Sequence, residues 1–343
     1  MRELARELLQ GKEAWVVGGA VRDELLGRPV VDLDIACADP RAAAVAYAKR
    51  SRGAPFPLSE RHGAWRVVRE GSAETVDFTP LPGGIDADLA TRDFTFNAIA
   101  VRVGSGDVHD PHGGRADLES GTVRAVTETV FIDDPLRLLR AVRLEDELGF
   151  HMDEHTEGLL RASSALVTQS AGERVLGELR RLSPAGYRRL DEVGVLDALG
   201  GSVGGPLEAR DDADFRLVAV FGERIRRLPI SREQGRYAAA LLRARPPEDE
   251  SPRSIHRFRR ATEPWALEAL AFLGASELLE AVERARRGDP QEPLVRGDEL
   301  NLAPGPEIGR ILAIIDEERA AGTISTREQA LELARSLATK DSP

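Results

Sequence analysis

Cysteine is almost absent from these 343 residues, with Cys37 standing alone. A lone cysteine excludes an internal disulfide and any zinc site built on several thiolates. Cys37 therefore reads as a small buried residue. Aromatic residues are only 5% of the chain. No apolar run approaches the roughly 18–20 residues that a membrane helix needs. The opening stretch, MRELARELLQGKE, interleaves charges with apolar positions. It reads as an amphipathic helix and not as a signal peptide, so the expected location is the cytoplasm. An excess of positive charge is lacking too, because the formal net charge is −11. That argues against a generic nucleic-acid binder, but averages hide local fields. Between residues 215 and 260 there are twelve arginines against five acidic residues. The clustering is informative. The preference for arginine, 44 against three lysines, reflects base composition as readily as function.

The length exceeds one ordinary compact core, so two or three domains are expected. Short β-rich runs fall at 14–17, 30–36, 65–68, 75–79, 98–103 and 123–126, punctuated by Gly, Pro and Asp. Helical patterns lie between them at 21–26 and 40–49. From about residue 130 the strand signal disappears. Stretches 133–148, 154–162, 171–182 and 186–193 carry apolar residues at helical spacing. The expected class is α+β, a mixed α/β head followed by an all-helical remainder. Residues 200–206 read as a linker and 246–252 (PPEDESP) as a second break, while 306–337 reads as one or two surface helices.

Chemistry concentrates first in WVVGGAVRDELLGRPVVDLDIA, residues 15–36. An apolar strand ends in Gly18-Gly19 and a helix follows at once. Two glycines let the backbone turn tightly and approach a ligand. The helix start offers N–H groups to a phosphate, and Arg22 in its first turn adds charge-assisted bonds. A double glycine alone is also an ordinary strand–helix turn. Asp32 and Asp34 sharpen the reading. One residue apart in an apolar strand, they face the same way. Like charges held together are costly unless a cation lies between them. A divalent metal meets that need, and carboxylate-bound Mg²⁺ is the usual companion of nucleoside triphosphates.

These residues, GGAVRDELLGRPVVDLDIA, resemble the head-domain signature of class II tRNA nucleotidyltransferases and bacterial poly(A) polymerases, within the polymerase-β-like superfamily. The resemblance implies that Asp32 and Asp34 bind catalytic Mg²⁺ and that Gly19 and Arg22 touch the incoming nucleotide. The implied chemistry is in-line attack of a 3′-hydroxyl on an α-phosphorus, with pyrophosphate leaving. Superfamily sites usually carry a third carboxylate on a neighbouring strand. Asp77, in TVDFTP, is the candidate, and an edge aspartate on a solvated face is the plain alternative. The run ATRDFTFNAIAVRV is similar to the family motif R-R-D-F-T-x-N-A-x-A, with Thr91 replacing its first arginine. Arg92 and Asp93 are thereby implied to hold ribose and phosphates, although an Arg–Asp pair beside a strand is equally a structural salt bridge.

In IDDPLRLLRAVRLEDELGF, Asp134, Arg137, Arg140 and Arg143 stand three apart, along one flank of a helix. Pro135 suits its first turn and the aspartates its cap. The run is similar to the family's E-D-x-x-R motif, with Asp133 in place of Glu. By that resemblance Asp134 and Arg137 read the Watson–Crick edge of CTP or ATP, and protein replaces a template. Arg140 and Arg143 contact the nucleotide or stabilise the site. Glu173, Arg174 and Glu178 match the family's next helix and read as structural, as do Asp110, Gly113 and Gly114 before it.

The family implies three parts: a catalytic head over 1–125, a helical neck over 126–199, and a helical body and tail over 200–343 that binds tRNA by shape and phosphate. One departure stands out. Only 14 residues separate Asp77 from Arg92. In CCA-adding members this stretch is longer and carries a flexible loop that helps the switch from CTP to ATP. Its shortening marks CC-adding enzymes. The expected activity is therefore addition of cytidines to the tRNA 3′ end from CTP. Complete CCA addition, A addition, poly(A) synthesis and a non-catalytic RNA-binding relative are the alternatives, together with a nucleotidyltransferase acting on a small molecule or protein.

Overall fold

Alternation builds the first sheet, because Leu33 and Ile35 point to one face of their strand and Asp32 and Asp34 to the other. The computed structural model describes residues 1–59, 63–69, 71, 74–290 and 292–340. Helix α1 (Arg2–Leu9) precedes β1 (Ala14–Val17), and α2 (Gly19–Leu25) leads into β2 (Asp32–Cys37). Helix α3 (Pro40–Ser51) then connects to β3 (Ala54–Ser59), β4 (Ala64–Val68) and β5 (Thr75–Pro80). Helix α4 (Ile85–Ala90) and a 3₁₀ turn (Thr95–Asn97) bring the chain back to β6 (Ala100–Arg102) and β7 (Val108–His109). The sheet order is β3-β4-β5-β2-β1-β6-β7. Strands β2 and β5 are parallel, and the other neighbours are antiparallel.

One face of the sheet is a dry core. Leu33, Ile35 and Phe78 are fully buried, and the Phe78 ring sits 5.8 Å from that of Tyr47 on α3. The opposite face carries the carboxylates. Asp34 is in register with Asp77, and Asp32 with Thr75. Matching register on parallel strands puts these side chains on one face.

Strand β3 was not expected from the sequence. Its residues, APFPLS, contain two prolines that read as punctuation. The strand lies at the sheet edge, where a missing N–H costs no ladder bond. The β-rich run expected at 123–126 is a two-residue strand, and its partner was not expected. Strand β8 (Thr122–Val123) pairs in parallel with β9 (His151–Met152), so strand structure does occur beyond residue 130. Helix α5 (Gly114–Ser120) ahead of β8 packs so closely on the 3₁₀ turn that a Cβ on Gly114 would stand 2.2 Å from the Thr95 carbonyl oxygen. The Asp110 carboxylate accepts from the Gly114 and Arg115 amides at 2.7 and 2.9 Å, capping that helix.

The helix expected over 133–148 is two helices. Helix α6 (Val130–Asp133) stops, and α7 (Arg137–Leu148) begins after a break. Asp134 is extended, with φ −144° and ψ 100°. The proline after it disfavours a helical backbone at that position. Asp134 therefore lies outside the helix that carries the three arginines, and its Oδ1 accepts from the Leu136 amide at 3.2 Å. Helices α8 (Glu154–Ser163), α9 (Gly172–Leu179) and α10 (Pro184–Glu192) follow.

The chain divides after Leu199 into two compact units. In the second unit every named element among the described residues is helical. One core there joins Ile255, Phe258, Leu270 and Val282, and another joins Val295, Ile311, Ile315 and Ala330. The final stretch is two helices, Pro306–Ala320 and Arg327–Lys340. Part of the Arg-rich stretch is neutralised inside this unit. Arg257 pairs with Glu317 at 2.6 Å and Arg253 with Glu318 at 2.8 Å. No helix among the described residues is long and apolar enough to cross a membrane.

Candidate active site

Strand β1 delivers the chain to Gly18, whose φ of 70° is a conformation that glycine adopts without strain. The position also has no room for a side chain. A Cβ there would stand 3.2 Å from Arg92 Nη1 and 3.5 Å from Asp34 Oδ2. Backbone, guanidinium and carboxylate thus converge at one point. A cleft of about 620 Å³ opens from it, entirely within the first unit. Seven arginines and six aspartates line this cleft. The arginines suit phosphate oxygens, and the aspartates suit a cation or a base-edge donor.

The carboxylate face of the sheet contributes Asp32 and Asp34 to the cleft lining. Asp32 is exposed and accepts from Thr75 Oγ1 at 2.7 Å. Asp34 is half-buried. Burial above all, then the charges of Asp77 and Asp32, push its carboxyl up to about 6, while Arg92 and Arg66 act in the opposite direction. Asp77 is buried and grips Arg66 through two bonds of 2.7 Å each. It stands beside Asp34 in the sheet but does not form part of the cleft wall.

The donor set fits a hard divalent cation. Asp32 and Asp34 offer same-facing oxygens, and a cation would relieve the penalty on ionised Asp34. Among the described residues no cluster of three or more ligand-type side chains closes into a metal cage. Mg²⁺ suits such an open arrangement, because it keeps waters and takes substrate phosphate oxygens beside one or two carboxylates.

Arg22 is clamped on two sides. Its Nε and Nη2 donate to Asp23 at 3.0 Å each, and its Nη1 donates to Asn97 Oδ1 at 2.9 Å. Arg92 is steered by Asp88, one helical turn earlier, through bonds of 3.1 and 2.6 Å. Asp93 is buried. Its Oδ2 accepts from Arg140 Nε and Nη2 at 2.9 and 2.6 Å. Its Oδ1 accepts from Asn97 Nδ2 and from the Phe94 amide, at 2.9 Å each. Burial alone would raise this carboxyl, but Arg140 and the two N–H groups more than offset it and hold it below the usual range.

Helices α7 and α9 contribute further lining residues. Arg137 donates Nη2 to the Thr91 carbonyl at 2.6 Å. Arg143 is buried and ion-paired with Glu178 and Glu147. Asp134 receives Arg174, whose Nη2 lies 2.9 Å from Oδ2.

Eleven of the twelve residues expected from sequence line the cleft, and Asp77 is the exception. Sequence reasoning missed Asp88, Asn97, Arg66 and Arg181. Asp88 stands four residues before Arg92, a spacing that signals a helical pair. Asn97 sits within the motif already singled out. Arg66 becomes visible only once the β4–β5 register is known. Arg174 had been read as structural.

Comparison with known proteins gives three results. Residues 14–81 and 62–124 match the Poly A polymerase head domain. A CC-adding tRNA nucleotidyltransferase of Geobacter sulfurreducens is 46% identical over 178 residues, which cover 50% of this chain and 40% of that protein. An A-adding tRNA nucleotidyltransferase of Deinococcus radiodurans is 32% identical over 92% of this chain and 94% of its own length. Among solved structures, a CCA-adding enzyme in complex with ATP superposes with a TM-score of 0.81 over 99% of this chain and 95% of its own. At 22% identity that likeness speaks for the fold alone. The near full-length match to the Deinococcus protein carries the assignment: the chain belongs to the tRNA nucleotidyltransferase and poly(A) polymerase family of enzymes.

Proposed function

We propose that this enzyme adds cytidines to the 3′ end of tRNA from CTP, releases pyrophosphate, and stops before the terminal adenosine. The observation that carries the CC limit is the segment between Asp77 and Arg92. Strand β5 runs to Pro80, a turn over residues 81–84 follows, and α4 begins at Ile85. Asp88 on that helix then grips Arg92. The segment is used up in positioning Arg92 and leaves no length for a flexible loop.

Asp32 and Asp34 hold Mg²⁺ in this reading. The metal supplies charge neutralisation for the triphosphate and a more acidic 3′-hydroxyl. Arg22 and Arg92 bind phosphate oxygens, each oriented by its own aspartate. Asp77, pinned by Arg66, adds negative charge beside Asp34. Gly18 and Gly19 let the backbone come close to the phosphates.

Base choice falls to Asp134 and Arg137. A carboxylate has about four lone-pair positions. Arg174 and the Leu136 amide occupy some of them and fix the group's direction. The remainder can accept from the exocyclic amine of cytosine. Arg137 is anchored to Thr91 through Nη2 and has N–H groups left for the cytosine ring nitrogen and carbonyl. Residues 1–125 act as the catalytic head, 126–199 as the neck that reads the base, and 200–343 as the body and tail that hold tRNA.

The rival reading is A addition, the activity named for the Deinococcus relative, although CC-adding relatives match this chain over as much of its length. A tRNA lacking its 3′ CCA and a tRNA ending in CC, each incubated with CTP alone, ATP alone and both, separate the readings. Two cytidines and no adenosine support CC addition. Adenosine incorporated after CC sinks it.

A further inference from the structure

Asn97 occupies a position that calls for a group able both to accept and to donate. It is 4% exposed, at the end of the 3₁₀ turn Thr95–Asn97. On one side Oδ1 accepts from Arg22, at 2.9 Å. On the other Nδ2 donates to Asp93 Oδ1, also at 2.9 Å. A guanidinium only donates and an ionised carboxylate only accepts, so the group between them must do both. A carboxylate at 97 would keep Arg22 but confront Asp93. A leucine would leave Arg22 Nη1 and Asp93 Oδ1 each one partner short.

The bridge continues. Asp93 Oδ2 holds Arg140 through two bonds of 2.9 and 2.6 Å. Arg22, on α2, is thereby linked through the 3₁₀ turn to Arg140 on α7. Both arginines line the cleft. The turn itself has little freedom, because Thr95 Oγ1 donates to buried Asp117 at 2.6 Å and Gly114 packs directly against its backbone.

We propose that Asn97 is a positioning residue that couples Arg22 to Arg140, so that the cleft residues of α2 and of α7 bind nucleotide as one unit. This rests on the reading of the cleft as a nucleoside triphosphate site. Through Asn97, moving either guanidinium changes the register of the other. Members of one buried hydrogen-bond network are typically non-additive when altered together, whereas unlinked residues are additive.

The test is a double-substitution cycle on the full chain. CTP dissociation constants are measured for the parent, Arg22→Lys, Arg140→Lys and the double variant. The same four are made in an Asn97→Leu background. In the parent background the combined loss departs from the product of the single losses by about fivefold or more. In the Asn97→Leu background the losses multiply to within about twofold. Should Asn97→Leu fail to fold, Asn97→Ala takes its place, because a methyl group neither accepts from Arg22 nor donates to Asp93. Multiplicative losses in the parent overturn the proposal, as does coupling of undiminished size once Asn97 is replaced. A purely structural Asn97 would lower affinity across the set and leave the coupling intact. Absence of CTP binding by the parent is a different result, since it overturns the functional reading itself.

Discussion

Arg137 donates its Nη2 to the backbone carbonyl of Thr91, 2.6 Å away across 46 residues of sequence. The arginine belongs to α7 and the carbonyl to the segment that positions Arg92. Under the proposed function, the group that reads the base is fastened to the part that holds the phosphates. Arg137→Ala removes this tether and a base contact together. Arg137 is only half-buried, so stability falls by about 1 kcal/mol. The CTP kcat/KM falls by about a hundredfold, the size of a lost bidentate base contact. Chemical denaturation and steady-state kinetics on the same protein test this split. A stability loss large enough to explain the activity loss would contradict it.

Asp34 gives a pH signature. Its carboxyl sits at about 6 in the folded protein against an ordinary 3.8, because of burial first and then Asp77 and Asp32. The folded chain therefore holds this proton more tightly than the unfolded chain does. Linkage makes the metal-free protein lose stability as pH rises through that window, by at most about 3 kcal/mol. Asp34→Asn abolishes the charge. It raises the Tm of the metal-free protein near neutral pH while nucleotide addition falls at least about a thousandfold. Mg²⁺ binding to the parent strengthens with pH up to about 6 and then levels off. Thermal melts with chelator, with and without added Mg²⁺, check both signs. A lower Tm for Asp34→Asn would refute the electrostatic account.

Asp93 and Asp32 respond differently. Asp93 is buried and holds Arg140, so Asp93→Ala strands a half-buried guanidinium and destabilises by about 3 kcal/mol. Asp32 is exposed and accepts a cross-strand bond from Thr75 Oγ1. Asp32→Ala changes stability by less than about 0.5 kcal/mol yet abolishes activity. Urea unfolding of the two variants side by side distinguishes a residue that builds the site from one proposed to bind the metal.

Under the proposed function, base discrimination follows from Asp134. Cytosine presents an exocyclic amine where uracil presents a carbonyl. Asp134→Ala narrows the CTP-to-UTP preference by about tenfold or more, measured as the ratio of kcat/KM values. Arg174→Ala releases the Asp134 carboxylate from its partner and narrows the preference in the same direction by a smaller factor.

Residues on a single element were the legible ones. Asp32 and Asp34 could be paired from sequence because the strand period is two. Arg137, Arg140 and Arg143 could be grouped because three residues make most of a helical turn. Relations that depend on tertiary register were not legible. Arg66 meets Asp77 only because β4 and β5 pair antiparallel, and nothing in either strand announces it. The prolines of β3 concealed an edge strand. Pro135 and Asp134 were legible as the start and cap of a helix, and Asp134 is extended there with its Oδ1 accepting from the Leu136 amide. The Arg-rich stretch was visible by composition, but its pairing with Glu317 and Glu318 was not, since those acids lie about 60 residues away.

The most direct test of the account is the length and base identity of the product made from tRNA lacking its 3′ CCA, resolved at single-nucleotide level with Asp34→Asn as control. The account predicts two cytidines from CTP, no further extension when ATP is added, and no product from the variant. A third nucleotide, adenosine, added efficiently by the parent enzyme would contradict it.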